Sequence, residues 1–264
     1  MSPAPLSNFT AEKFDSPNHD RCAGASTSRW NALGRTMRRA LPQQCAFCAA
    51  PCGALLVCAA CHAGLSRIDN ACPRCALPSS NGTVCGACVA RPPPFAFAFA
   101  AFVYAFPLDR MLHAFKYGGR LAHAHFFATA LAERVARRPA SAPWPDALVA
   151  LPLAPARQRE RGFDQAAEIA RRVAGIVGVP WTRALRRTRD TPAQASLPWT
   201  ARAANVRGAF AADQSLAGRH IAIVDDVMTT GATLASAAES MLRAGASSVE
   251  AWAVARTLPP AQPP

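Results

Sequence analysis

The sequence predicts an α/β protein in which a mostly parallel sheet is flanked by helices, with a small cysteine-rich module in front of it. Eight of the ten cysteines form four C-x₂-C pairs between residues 45 and 88. Apolar runs at 147–153 and 221–224 are typical of buried strands, a further strand is predicted at 248–255, and helical patterns stand between them. Because strand and helix patterns alternate, we expect parallel strands joined by right-handed crossovers.

The composition divides the chain into four parts. Residues 1–40 are polar and lack the apolar core of a secretory signal, so they are predicted to be disordered, and Met37 stays open as an alternative start. The sequence RPPP at 91–94 is a stiff connector. The predicted divisions are a disordered arm at 1–40, the cysteine-rich module at 41–90, the α/β domain at 95–258 and a disordered tail at 259–264.

The chain is strongly basic, with a net charge of +13 from 29 basic and 16 acidic residues. Only Lys13 and Lys116 are lysines, and an arginine excess of this kind has two explanations. One is a GC-rich coding bias, and the other is attraction to nucleic acid or another polyanion. The longest apolar run, at 95–106, is far shorter than the ~20 residues of a spanning helix. We therefore expect a cytoplasmic protein without membrane insertion, whose cysteines stay reduced.

The cysteine pairs belong to an internal repeat. Each of the first four cysteines recurs 27 residues later, and Val57 and Ala60 recur as Val84 and Ala87. Two C-x₂-C knuckles supply the four thiolates of a tetrahedral zinc site. The repeat favours sequential pairing with one structural zinc per unit, while an interleaved pairing of the first knuckle with the third stays open. The predicted ligands are Cys45, Cys48, Cys58, Cys61, Cys72, Cys75, Cys85 and Cys88.

The stretch IAIVDDVMTTGATL, residues 221–234, carries the main functional signal. A buried strand runs into two acids, then hydroxyl residues and a glycine, and then a helix that Thr230 or Thr233 is expected to cap. The free N–H groups at such a helix start suit a phosphate. Paired carboxylates fit beside a phosphate if they hold a sugar diol or a hydrated Mg²⁺. The stretch therefore predicts a sugar-phosphate site, with the phosphate on 229–233 and the diol on Asp225 and Asp226.

Two further segments are predicted to contribute to this site. After the strand at 147–153, Arg157, Arg159 and Arg161 alternate, so we expect an extended loop that points them to one side, suited to a pyrophosphate. The alternative for this loop is a solvated basic turn. The segment 185–210 is long and polar, as in a flap that closes over substrate. The flap residues of interest are Arg187, Thr188, Gln194 and Arg202.

Several motifs in a fixed order resemble the ComF family. They are the four C-x₂-C knuckles, RPPP, Y-x₂-P-L with FKY, RQRERGFDQA, T-x₅-Q-x₂-L and IVDDVMTTGATL, over residues ~45 to 258. The last motif is similar to the 5-phosphoribosyl-1-pyrophosphate (PRPP) motif of type I phosphoribosyltransferases. Asp164 stands where this family often has Asn. The resemblance implies a double zinc ribbon followed by a type I phosphoribosyltransferase fold, with PRPP and Mg²⁺ as ligands and a role in natural transformation or DNA handling.

The resemblance also implies roles for individual residues. Asp225 and Asp226 would be catalytic, the arginines at 157, 159 and 161 would bind pyrophosphate, and residues ~95–138 would form the hood that selects the acceptor. Mg²⁺ would bridge the diol and the pyrophosphate. The implied PRPP-binding residues are Asp225, Asp226, Val227, Met228, Thr229, Thr230, Gly231, Ala232 and Thr233.

Two functional hypotheses follow. In the first, the protein is an enzyme, a glycosyltransferase that transfers the phosphoribosyl pentose from PRPP to an acceptor and releases pyrophosphate. In the second, it is a non-catalytic competence factor that binds single-stranded DNA, works with other DNA-uptake proteins and takes PRPP as a regulatory ligand. A third, plainer hypothesis is a PRPP-binding scaffold that acts through its zinc ribbons.

Overall fold

A computed structural model describes residues 43–139, 142–189 and 208–259. The predictions of disorder at 1–40 and over nearly all of 259–264 lie outside these residues. The strands are β1 (Gln43–Gln44), β2 (Pro51–Gly53), β3 (Phe97–Val103), β4 (Ala147–Ala150), β5 (Trp181–Thr182), β6 (Leu185–Arg187), β7 (Phe210–Ala212), β8 (His220–Met228) and β9 (Ser248–Arg256).

Seven α-helices accompany these strands in the described part of the chain. They are α1 (Ala59–Ala63), α2 (Gly86–Ala90), α3 (Leu108–Tyr117), α4 (His123–Ala136), α5 (Pro155–Arg161), α6 (Gln165–Val177) and α7 (Ala232–Arg243). Short 3₁₀ turns occupy Ser80–Gly82 and Gln214–Leu216. None of the helices in these ranges has the length and apolar character that crossing a bilayer requires.

The centre of the molecule is a five-stranded sheet in the order β3-β9-β8-β4-β5, and all of its pairs are parallel. The run Ile221–Val224 of β8 is fully buried, because both faces of a parallel sheet are covered in this kind of fold. Helices α4 and α6 pack against each other and against the sheet, and α7 packs against β8 and β9. The predicted α/β architecture with a parallel sheet is thus confirmed.

The helices around residues 108–136 lie close to where the sequence places them. Helix α3 ends at Tyr117, and Gly118 caps it as predicted. Its buried positions Leu108, Met111, Leu112 and Phe115 follow the 3.6-residue period of an amphipathic helix. The second helix, predicted over 120–138, is the slightly shorter α4.

The cysteine-rich module packs against the open edge of the sheet. Strand β3 is an edge strand, and its Ala98 N–H and Val103 N–H donate to the carbonyl oxygens of Pro73 and Ser66, each at 2.8 Å. The guanidinium of Arg74 adds a bond of 3.1 Å to the Ala96 carbonyl. These contacts cover backbone groups that an exposed edge strand would offer to other chains.

A buried ionic network lies where β8 and β9 begin. Glu250 is fully buried, and its carboxylate binds the guanidinium of Arg138, the imidazole of His220 at 3.2 Å and the indole N–H of Trp252 at 2.7 Å. Burial acts to raise the pKa of Glu250, but the hydrogen bonds from His220 and Trp252 and the charge of Arg138 hold it below the usual value. The network holds the amino ends of these strands together, at the opposite edge of the sheet from their carboxyl ends.

Candidate functional site

A cavity of about 590 Å³ opens at the carboxyl ends of β4 and β8. Ligands of open α/β sheets bind at this edge, because the loops that follow the strands meet there. The cavity wall brings together three groups of predicted site residues. They are Asp225, Asp226, Val227, Thr229 and Thr233 from β8 and the following turn into α7, Arg157 and Arg161 from α5, and Arg187 from β6.

The two carboxylates have different surroundings. Asp226 pairs with Lys116, whose ammonium nitrogen lies 3.0 Å from its Oδ1 atom. Asp225 accepts a hydrogen bond of 2.8 Å from the backbone N–H of Asp226. The loss of water around Asp225 and the charge of Asp226 raise the pKa of Asp225 to about 8, although Lys116 opposes this shift. The pair is therefore a partly neutralised acceptor of hydrogen bonds on the cavity wall.

The turn after β8 has the backbone shape of an anion site. Gly231 is the N-cap of α7 with a φ of 82°, a conformation that favours glycine. The prediction that Thr230 or Thr233 caps this helix is wrong, because Gly231 occupies the N-cap position and no side chain makes a capping bond there. The Thr230 hydroxyl instead accepts a bond of 3.2 Å from the Ala232 N–H. The free amides at the start of this twelve-residue helix remain suited to a phosphate.

The arginine segment is helical, so the prediction of an extended loop is wrong. Pro155 stands in the first turn of α5, where its fixed φ favours a helix. On a helix, Arg157 and Arg161 share one face while Arg159 points away from it. Arg157 and Arg161 line the cavity, whereas Arg159 is exposed outside it. Gly162 then makes the predicted sharp turn, with a φ of 74°.

The helix that follows this turn begins as the sequence suggests. Asp164 is the N-cap of α6, and its carboxylate accepts a bond of 3.0 Å from the Ala167 N–H. Burial raises the pKa of Asp164, against the effect of the backbone hydrogen bonds that it accepts. The asparagine that the family often has at this position would make the same capping contact without the charge. Asp164 therefore keeps the local structure.

The predicted flap is described only at its two ends. Strands β6 and β7 pair antiparallel, with Arg187 opposite Phe210, so the ends of the segment lie side by side. Arg187 lines the cavity, while Thr188 is exposed just beyond it. Gln194 and Arg202 lie outside the described residues.

Among the cavity residues that the sequence analysis did not name as members of the site, three stand out by their chemistry. Tyr104 follows β3, and Lys116 and Tyr117 end α3. The Tyr117 hydroxyl accepts a bond of 3.1 Å from Arg161, whose guanidinium lies 4.9 Å from the ring centroid. The sequence held a weak indication of them, because Tyr104 and Tyr117 are the only tyrosines of the chain and Lys116 is one of its two lysines. Their position supports the segment 95–138 as one wall of the cavity.

The cysteines form two compact tetrads, each from one unit of the repeat. Within each tetrad the sulfur atoms lie within 4.8 Å of one another. Tetrahedral zinc with bonds of ~2.3 Å separates its sulfurs by roughly 3.8 Å, and the Cys48–Cys58 and Cys75–Cys85 sulfurs are 3.8 and 3.7 Å apart. Backbone N–H groups of Cys58 and Cys85 donate to the sulfurs of Cys45 and Cys72. The donor set fits structural zinc, and the pairing is sequential.

Arg256 connects the second tetrad to the turn after β8. It is 2% exposed, and its Nε donates to the Cys75 carbonyl at 2.9 Å. Its Nη1 donates to the Met228 carbonyl at 3.0 Å and also to the Thr229 carbonyl. Burial lowers the pKa of Arg256 to about 10, against the effect of the nearby cysteine thiolates, so it remains a cation at neutral pH. The sequence gives no sign of this link.

Comparisons with protein families and curated proteins agree with both parts of the structure. The double zinc ribbon domain family matches residues 36–89, and the phosphoribosyl transferase domain family matches residues 159–262. DNA utilization protein YhgH of Salmonella typhi is 36% identical over 174 residues, which cover 65% of this chain and 77% of that protein. Competence protein F of Haemophilus influenzae is 28% identical over 159 residues, 58% of this chain and 69% of that protein.

Solved structures that match this chain include two proteins that handle phosphoribosyl groups. One is the glutamine PRPP amidotransferase from B. subtilis in complex with ADP and GMP, at 21% identity and a TM-score of 0.34. The match covers 50% of this chain but only 26% of the amidotransferase chain. The other is a purine phosphoribosyltransferase from Pyrococcus horikoshii, at 17% identity and a TM-score of 0.31, covering 52% of this chain and 87% of that chain.

Proposed function

The chain belongs to the ComF family, together with DNA utilization protein YhgH and competence protein F, and we propose that it binds PRPP and transfers the phosphoribosyl group to an acceptor with release of pyrophosphate. One observation carries this proposal. The paired carboxylates, the helix-start turn and three arginines line a single cavity, although they come from distant parts of the chain. This is the set of groups that a sugar carrying both a phosphate and a pyrophosphate requires.

Each part of PRPP has a matching group in the cavity. The 5-phosphate binds the amides of the turn at 229–233, where the start of α7 favours negative charge. The ribose hydroxyls donate to Asp225 and Asp226. The pyrophosphate lies toward Arg157, Arg161 and Arg187, which are the guanidinium groups on the cavity wall.

Mg²⁺ fits this arrangement as a companion of PRPP. Carboxylates and phosphate oxygens are its preferred ligands, and Asp225 and Asp226 offer carboxylate oxygens on the cavity wall. One oxygen of Asp226 already faces Lys116, so the carboxylates suit a shared site with substrate oxygens better than an all-protein cage. When bound, the ion would draw negative charge from the departing pyrophosphate.

The residues of the chain contribute to transfer by position and charge. The bond from the anomeric carbon to a pyrophosphate oxygen breaks with its electron pair, and a lone pair of the acceptor forms the new bond. Arg157, Arg161 and Arg187 stabilise the charge that the pyrophosphate gains. The carboxylates hold the ribose so that the acceptor meets the reacting carbon. Tyr104 offers a flat surface on the cavity wall, which suits a planar acceptor, whereas the Tyr117 ring already lies against the Arg161 guanidinium.

Pyrophosphate release from PRPP and Mg²⁺ tests this proposal. The acceptors are a panel of nucleobases, nucleosides and single-stranded oligodeoxynucleotides, and the control is the double variant Asp225→Asn/Asp226→Asn. We expect release that depends on one acceptor and disappears in the variant, together with PRPP binding by calorimetry. Undetectable PRPP binding by the zinc-loaded protein would refute the site, and binding without release for any acceptor would favour the regulatory hypothesis.

A second candidate function, the handling of single-stranded DNA, is favoured by a basic groove between the ribbon and the sheet. The groove has a volume of about 250 Å³ and is lined by His62, Arg67, Phe102, Arg134 and Arg137, among others. The Arg67 guanidinium lies 5.0 Å from the Phe102 ring centroid. Phe102 itself is buried, so what the groove offers to a single strand is positive charge for the phosphate backbone. The names of the relatives, which refer to DNA utilization and competence, agree with this candidate.

The salt dependence of oligodeoxynucleotide binding tests this second candidate. We expect the variant Arg134→Gln/Arg137→Gln to weaken binding and to lower the slope of log affinity against log salt. The matched control Arg110→Gln/Arg243→Gln removes the same charge from exposed sites outside this groove. Equal losses in both double variants would show only a general effect of net charge and would reject the groove.

A further inference from the structure

Arg256 occupies an unusual position for a buried cation. Its side chain lies between the second cysteine tetrad (Cys72, Cys75, Cys85 and Cys88) and the turn after β8, and its hydrogen bonds within the described residues go to backbone carbonyl oxygens. The Thr229 carbonyl belongs to the predicted phosphate turn, and the Met228 carbonyl ends β8 directly before it. The Cys75 carbonyl belongs to a zinc ligand 181 positions earlier in the chain.

The contacts on the turn determine which way its amides face. In a trans peptide the C=O of one residue and the N–H of the next point in opposite directions. The Met228 and Thr229 carbonyls point toward Arg256, so the N–H groups of Thr229 and Thr230 point away from it. A phosphate is repelled by carbonyl oxygens and attracted by N–H groups. The Met228 carbonyl also accepts a bond of 3.0 Å from the Thr257 N–H, so the contribution of Arg256 is to bind the Thr229 carbonyl and hold it away from the phosphate side of the turn.

The contact on the ribbon depends on the fold of the second knuckle. Cys75 is followed by Ala76 with a φ of 57°, a left-handed conformation that a non-glycine residue rarely adopts. Zinc supplies the folding energy of small ribbons, so it also stabilises this backbone and the position of the Cys75 carbonyl. Four thiolates around one Zn²⁺ leave the second site negative overall, which complements the guanidinium nearby.

The two halves of the repeat differ in this respect. The first tetrad packs toward α4, where Leu56 and Val57 share a cavity wall with Phe126. The second tetrad packs toward the sheet and reaches the phosphate turn through Arg256. Two zinc sites with the same ligands are therefore placed differently with respect to the substrate cavity.

We propose that Arg256 is a positioning residue that couples the second zinc site to the phosphate turn, so that zinc in the second ribbon, and not in the first, sets the order of the turn and the affinity for PRPP. The part that concerns PRPP rests on the function proposed above. The part that concerns the order of the turn does not.

The test compares five variants of the full chain, purified with zinc, with the wild type. Arg256→Met removes the link, and Arg74→Met removes the other arginine that joins the second ribbon to the sheet, at Ala96. Cys88→Ser disrupts the second zinc site without changing Cys75, and Cys61→Ser disrupts the equivalent site of the first ribbon. The readouts are hydrogen exchange of the amides at 229–232, zinc per chain, and the Kd for PRPP with Mg²⁺ by calorimetry.

We expect Arg256→Met and Cys88→Ser to speed exchange at the turn by about tenfold or more and to weaken PRPP binding by about tenfold, which corresponds to the loss of about one charged hydrogen bond that holds the turn. Arg74→Met and Cys61→Ser should change both quantities by less than about threefold. The conservative Arg256→Lys, which keeps the charge but cannot reach both sides, should give an intermediate result.

Unchanged exchange in Arg256→Met, or an equal effect of Cys61→Ser and Cys88→Ser, would overturn the coupling. If Arg256→Met fails to fold, Arg256→Lys and the two cysteine variants still decide the question. A wild type that binds no PRPP refutes the proposed function alone, because the exchange measurement tests the coupling without PRPP.

Discussion

The ammonium of Lys116 lies 3.0 Å from Asp226 Oδ1, so one of two adjacent carboxylates in the cavity has a direct counterion while the other is held by a backbone amide. Lys116 ends α3 and Asp226 lies near the end of β8, so the pair also fixes α3 to the sheet. Two residues that look equivalent in the sequence therefore make different contributions to stability.

Replacing each acid with its amide should separate these contributions. Asp226→Asn leaves the ammonium of Lys116 without its carboxylate, and we expect the free energy of unfolding to fall by about 1–3 kcal/mol. Asp225→Asn removes a carboxyl group whose ionised form the folded protein disfavours, so it should be at least as stable as the wild type. Urea unfolding at several pH values measures both changes.

The pH dependence gives the sign of the Asp225 effect. Its folded pKa of about 8 is above the unfolded value, so the folded state keeps a proton that the unfolded state loses. Wild-type stability should fall as pH rises from about 4 to 8, by at most about 1.4 kcal/mol per unit from this group. Asp225→Asn lacks this contribution, so its advantage should grow up to pH 8. A variant less stable than the wild type at pH 8 would contradict this account.

The helical arrangement of α5 predicts unequal roles for its arginines. Arg157 lines the cavity and Arg159 does not, although they stand two positions apart. We expect Arg157→Met to weaken PRPP binding by about tenfold, the equivalent of one charge-assisted hydrogen bond. Arg159→Met carries the same loss of charge and should change the Kd by less than about twofold. Equal losses in the two variants would restore the extended-loop prediction.

Zinc content distinguishes ligands from the other cysteine of the ribbons. We expect two zinc ions per chain of the purified protein, one for each tetrad. Cys52 lies outside both tetrads, and its sulfhydryl donates to the Leu55 carbonyl. Cys52→Ser should keep both ions, whereas Cys48→Ser should lose one and destabilise the first ribbon. Elemental analysis after dialysis measures this, and loss of zinc from the Cys52 variant would contradict the sequential tetrads.

Glu250 should be important for stability and unimportant for binding. Glu250→Gln leaves the buried guanidinium of Arg138 without its carboxylate, and we expect a loss of about 3–5 kcal/mol. Because the pKa of Glu250 is held down, its contribution is present above pH ~4.3 and is lost as pH falls through the folded value. The exposed Glu239 on α7 is the matched control. Thermal unfolding should show a lower stability for Glu250→Gln and not for the Glu239 variant. The Kd for PRPP should stay unchanged in both.

The parts of the site that the sequence predicted are the parts that depend on local order. Asp225, Asp226 and Thr229 are neighbours, and a strand followed by a helix places them at one sheet edge whatever the rest of the chain does. The repeat predicted sequential zinc sites for the same reason, since each unit carries a full ligand set. The alternation of arginines misled the prediction, because helix-forming residues after Pro155 outweigh a two-residue pattern of charge.

The parts that the sequence did not reveal depend on contacts between distant segments. Lys116 and Asp226 are 110 positions apart, and Arg256 and Cys75 are 181 apart. Neither pair has a motif, and their meeting follows from sheet order and helix packing that a single sequence does not encode in any local window. Composition alone pointed weakly to Lys116 and the two tyrosines, because lysine and tyrosine are rare in this chain. The structure then brings these three residues into one cavity.

The coverage of β3 by the ribbon has a consequence for biosynthesis. The ribbons leave the ribosome first, and β3 follows directly, but its sheet partner β9 is made about 150 residues later. During that interval, a zinc-loaded ribbon can satisfy Ala98 and Val103 of the new strand and keep it from other nascent chains. We therefore expect that cells starved of zinc accumulate this protein as aggregates and not as a folded domain that merely lacks its metal.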